Sequence, residues 1–133
     1  MKPEDVLRAT KMILVVDWPS HDVPDTLVQA GYDVVVRGGP APDDYTTYVV
    51  DDGGVTERRT GRPPERADLV YSYRPVDELP DIVEQARQLG AHAVWVQLPP
   101  AESQRARVIV ETAGLAFVDG PYLPDAVRAL TPP

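Results

Sequence analysis

Ser20, His21 and Asp22 stand side by side, three residue types from which nucleophilic catalytic triads are built. Adjacent side chains diverge, and triads draw their members from distant segments, so this run reads as a turn or helix start. His21 and His92 are the two histidines, and the chain has no cysteine. A thiolate nucleophile, a disulfide and a cysteine-based metal site are therefore excluded. Asp43-Asp44 and Asp51-Asp52 lack the alternating spacing of a calcium loop and read as solvated turns. No nucleophile and base converge by spacing, so we expect no enzyme. Binding chemistry falls to the arginines. Arg37 and Arg74 each end an apolar run. A guanidinium there binds a phosphate or pairs with a neighbouring carboxylate, which for Arg74 means Asp77 or Glu78.

The elements that position these residues are organised around residues 67–98. The run 69–73 is short, apolar and aromatic, and predicts a buried strand. Val76, Leu79, Ile82, Val83, Ala86 and Leu89 recur at three- and four-residue steps and share one helix face. Asp77 is a candidate N-cap, Pro80 falls in the first turn, and Gly90 suits the residue after the helix. Residues 92–98 predict the next strand. Strand, helix and strand make a βαβ unit, whose crossover is right-handed.

The same pattern recurs before and after. Residues 11–16 predict a buried strand, with a helix carrying Val23, Leu27 and Ala30 up to Gly31, then a strand over 32–36. That helix is capped by Ser20 or by Asp22, the latter leaving Pro24 in the first turn. Residues 45–50 and 55–59 flank Asp51-Asp52-Gly53-Gly54 and predict a hairpin, its polar pattern suggesting an edge or projecting insertion dispensable for folding. A helix near 101–113, a short strand over 115–118 and a closing helix over 122–130 follow, and the tail 131–133 is expected to fray. Residues 1–10 look like a leader or short helix, with no signal peptide. We expect one α/β domain over 1–133: a three-layer Rossmann-like fold with a mainly parallel sheet of about five strands and a hairpin insertion over 45–61.

Composition narrows the partners. At 133 residues and 43% hydrophobic, the chain can build a real core. A net charge of −8 opposes general nucleic-acid binding, which depends on neutralising phosphates. No run approaches the ~18 apolar residues of a membrane span. The cytoplasm is the expected compartment. A small anion remains a plausible ligand where arginines are local to a pocket.

In a doubly wound sheet, ligands bind beyond the carboxyl ends of the strands at the switch in strand order. The residues there run over 17–21, 37–39, 73–75, 97–99 and 119–121. Several of them carry a resemblance. Pro19-Ser20-His21-Asp22-Val23, Tyr73-Arg74, Pro80-Asp81-Ile82-Val83, Val94-Trp95-Val96-Gln97-Leu98 and Ala113-Gly114-Leu115 occur in that order. So ordered, the chain over 12–121 resembles the small CoA-binding-domain proteins, relatives of the nucleotide-binding domain of succinyl-CoA synthetase. The resemblance implies a non-catalytic module for coenzyme A or another adenine nucleotide, with Ser20, Arg37, Gly38, Gly39, Tyr73, Arg74 and Gln97 as its binding residues.

The departures are local. The family's Gly-x-Ser phosphate loop after the first strand is trimmed here to Asp17-Trp18-Pro19, with no glycine. Asp17 either opposes a phosphate or caps the following turn. Gly38-Gly39 replaces an Asn-Pro, Asp119-Gly120-Pro121 replaces an Arg-Cys-Pro, and the hairpin has no counterpart. The alternative reading keeps the fold but not the ligand, with the protein acting through a protein partner or a homodimer.

Overall fold

Each apolar run predicted as a strand pairs with another such run. In the computed structural model, which describes residues 2–39 and 41–130, they join one sheet. In chain order the elements are α1 (Pro3–Arg8), β1 (Met12–Val16), α2 (Asp22–Gln29), β2 (Asp33–Arg37), β3 (Tyr45–Asp51), β4 (Gly54–Arg59) and β5 (Leu69–Ser72). A 3-10 turn (Val76–Glu78), α3 (Leu79–Gln88), β6 (Ala93–Val96), α4 (Pro100–Thr112), β7 (Ala116–Val118) and α5 (Leu123–Leu130) follow. The strand order is β4-β3-β2-β1-β5-β6-β7. The five strands β2, β1, β5, β6 and β7 are mutually parallel, and β3 and β4 continue the sheet antiparallel.

Alternation along the strands sends side chains to two cores. Leu14, Val16, Val70, Val94 and Val96 pack against Leu79, Ile82, Val83 and Ala86 of α3 and Ala106 and Val110 of α4. Ile13, Val15, Leu69, Tyr71 and Trp95 pack on the other side against Val23 and Leu27 of α2 and Leu123 and Val127 of α5. The class is α/β with helices on both faces of a largely parallel sheet. Residues 3–8 form a short docked helix, with Val6 and Leu7 buried in the second core.

The hairpin lies at an edge of the sheet, as its polar pattern suggests, and raises the strand count from about five to seven. Two more strands enter the sheet because β3 pairs along β2, with Val35 opposite Thr47 and Val34 opposite Tyr48. Tyr45 belongs to one core and Tyr48 to the other. The polar pattern has a simple cause: β4 is the edge strand, and its residues 56–59 are exposed. At the tip Asp51 Oδ1 accepts the Gly53 N–H at 2.8 Å, and Gly54 takes φ 110°.

Helix starts also differ. Neither Ser20 nor Asp22 caps α2; the N-cap is His21, without a side-chain bond, and Pro24 sits at the third helical position. Asp77 does not cap α3: it lies in the 3-10 turn and pairs with Arg105 at 2.8 Å. That turn carries the chain into α3, and Pro80 in the first turn removes one of the N–H groups a cap would serve.

Candidate functional site

β1 and β5 are neighbours, but the chain leaves β1 toward β2 on the other side, so the order reverses between β1 and β5. The crevice beyond their carboxyl ends is where a doubly wound sheet takes a ligand. At the end of β5 the buried Ser72 Oγ accepts the Arg74 N–H at 3.0 Å. That tight turn holds Arg74 at the crevice. Its Nη1 lies 3.0 Å from Asp17 Oδ2, at the end of β1. Its Nε and Nη2 lie 3.1 and 2.8 Å from the two oxygens of Glu78, one helical turn on. The Glu78 carboxylate, with Tyr73 and Asp17, holds the guanidinium above its ordinary range.

Arg37 enters from the end of β2. Its Nη1 donates to Gln85 Oε1 on α3 at 2.9 Å, and Gln85 Nε2 donates to the Tyr45 hydroxyl at 2.7 Å. The hairpin therefore helps aim Arg37. Arg37, Arg74, Asp17 and Gly39 line a cleft of about 260 Å³, closed by Glu78 and Asp81. Three carboxylates face two guanidiniums; Arg74 is paired with Asp17 and Glu78, while Arg37 donates to the neutral Gln85 and to the Gly39 carbonyl. Asp17, expected either to oppose a phosphate or to cap the turn, is an ion-pair partner of Arg74.

The remaining binding candidates are placed apart from this cleft. Ser20 is exposed in the bend before α2. Gly38 donates its N–H to the Asp44 carbonyl, and a Cβ there would stand 2.7 Å from the Asp44 carboxylate, so its lack of a side chain serves the β2–β3 turn. Gln97 is engaged by the Tyr71 hydroxyl, which donates to its Oε1 at 2.8 Å. Tyr73 stands edge-on to Trp18, with ring centroids 4.8 Å apart, and its face carries Arg74 at 5.7 Å. Of the seven expected binding residues, the cleft brings together Arg37, Gly39 and Arg74.

The pattern of the CoA binding domain family matches residues 15–123. The chain belongs to that family. No curated protein matches it significantly. Among solved structures, a hypothetical protein from Pyrococcus horikoshii OT3 matches with a TM-score of 0.63 and 22% identity, over 98% of this chain and 92% of that one. A protein from Thermus thermophilus matches with a TM-score of 0.61 and 23% identity, over 98% of this chain and all of its own. A protein of unknown function from Methanothermobacter thermautotrophicus matches at 0.53 and 14%, over 90% and 86%. These neighbours establish the fold of this CoA-binding domain.

Asp81 and Gln85 were not foreseen as site residues of this CoA-binding domain, whereas Glu78, expected beside Asp77 as a partner of Arg74, is that partner. A signal existed for Asp81 and Gln85: they follow Glu78 of the 3-10 turn at three- and four-residue steps into α3, beside its apolar face, and Glu78 comes four residues after Arg74. Trp18 had no such signal. Its ring stacks on Tyr71 at 4.8 Å and 16°, a contact between residues 53 positions apart (71 minus 18).

Proposed function

We propose that this domain is a non-catalytic module that binds coenzyme A, or another adenine nucleotide, beyond the carboxyl ends of β1, β2 and β5. The observation that carries the reading is the convergence of Arg37 and Arg74 with Gly39 at the reversal of strand order. Family membership supports it. Guanidiniums match phosphate oxygens in a fork. Glu78 fixes Arg74 at the cleft, its two carboxylate oxygens accepting from Nε and Nη2.

The test is a melting curve with millimolar CoA, ADP and NAD. A ligand at ~100 times its Kd adds about 2.7 kcal/mol, several degrees for a domain of this size. Arg74→Ala is expected to weaken CoA by ~1.5–3 kcal/mol while a cooperative melt survives. A flat response to all three ligands removes this reading.

One observation favours the second reading, in which the fold is kept and the protein works through a protein partner or a second copy. The Asp17 carboxylate already sits on Arg74. On that reading a CoA titration gives no heat at any salt concentration, and Asp17→Asn does not restore it.

A further inference from the structure

We propose that Asp17 and Trp18 form a built-in stopper across the crevice, and that a nucleotide binds only by displacing both. This rests on the nucleotide-binding reading above and adds how the site is regulated. Asp17 has φ 50°, the one positive φ on a non-glycine among the described residues. Aspartate is among the few non-glycine residues that visit this region, and here the contacts of Asp17 and Trp18 add to that local tolerance.

Those contacts lie on both sides of the sheet. The carboxylate reaches Arg74 and lines the cleft beside Ile82 of α3. The next side chain packs with the opposite core, where the indole stacks on Tyr71 and lies 6.0 Å from the Tyr122 ring. An anion on a guanidinium and a flat ring on an aromatic face are the two contacts by which proteins hold a nucleotide. Here consecutive residues of the chain make both. Neither residue is fully buried, and Trp18 covers the fully buried Tyr71, so its departure bares that ring for an incoming base.

A tethered competitor lowers apparent affinity by the fraction of molecules in which the site is open. Ligands are therefore sorted by how many contacts they replace. CoA and ADP carry phosphates and a base and replace both; inorganic pyrophosphate replaces only Asp17.

The experiment is calorimetric titration of the whole protein with CoA and with inorganic pyrophosphate, alongside tryptophan emission. Trp95 is fully buried and gives a constant background, so a change reports Trp18. Asp17→Gly removes the carboxylate and tolerates φ 50°. Asp17→Asn keeps the side-chain size and serves if the glycine variant does not fold. We expect at least tenfold tighter CoA binding by the Asp17 variants. We also expect a red shift of emission when the parent binds CoA, with no shift from pyrophosphate. Equal CoA affinity in parent and variants, with unchanged emission, overturns the stopper and leaves the nucleotide-binding reading standing. Tighter binding with unchanged emission also overturns it, reducing Asp17 to plain charge repulsion. No binding by parent or any variant overturns both.

Discussion

Asp68 shows how one side chain can hold two strands together. Its Oδ2 accepts the N–H groups of Lys11 and Met12, each at 2.9 Å, and so ties the start of β1 to the start of β5. Burial pushes the carboxyl up, but the two backbone donors, Arg66 and His92 outweigh it, and the group is held below the usual carboxylate range. A depressed folded pKa gives a definite sign. Stability from Asp68 is fully present above the unfolded value near ~3.9 and is lost as pH falls through the lower folded value. Asp68→Asn is expected to cost ~1.5–3 kcal/mol at neutral pH and less in strong acid, where the folded carboxylate is itself protonated. Urea melts of parent and variant at neutral pH and in strong acid check this. A cost that does not change with pH would mean that the carboxylate charge plays no part.

At the scale of elements, the hairpin decides more than its polar sequence suggests. β3 satisfies the outer edge of β2, and its tyrosines reach both cores. Tyr45 also anchors Gln85, which holds Arg37. Replacing residues 45–61 by a short linker would bare the backbone groups of β2 and empty two core positions. Losing one buried tyrosine costs about 3 kcal/mol, so losing both consumes much of a small domain's stability. We expect a broad, non-cooperative melt by circular dichroism. A sharp transition in the shortened chain would show that β2 tolerates being an edge. Tyr45→Phe is the milder probe: it keeps the core volume, frees Gln85 and is expected to weaken nucleotide binding more than stability.

The whole molecule carries a net charge of −8, and coenzyme A is itself a polyanion. Long-range repulsion acts on the encounter, while Arg37 and Arg74 act only at contact. Salt screens the first within a Debye length of about 8 Å at physiological ionic strength. Association of CoA is therefore expected to quicken as salt rises from about 10 to 150 mM, opposite to a steered encounter. Stopped-flow binding checks it; a rate that falls with salt would mean a local positive field dominates the approach.

Local chain pattern is enough for the strands, the helix faces and their alternation. Those features are local: Ile13 and Leu14 face opposite ways because a strand has period two, and Ile82, Val83 and Ala86 meet because a helix turns every 3.6 residues. The same reading placed Arg37 and Arg74 at strand ends. It could not say which way a strand-end side chain leans. Tyr73 and Gln97 also stand just past strand ends, yet one packs on Trp18 and the other on Tyr71. That Arg74 meets Asp17, 57 residues away, and that Arg37 is held by Gln85 and, through it, Tyr45, is visible in the assembled fold alone. The assembled fold also makes the hairpin part of the sheet. Pairing across such distances is chosen by register and burial summed over the whole fold, and no single stretch of chain holds that information.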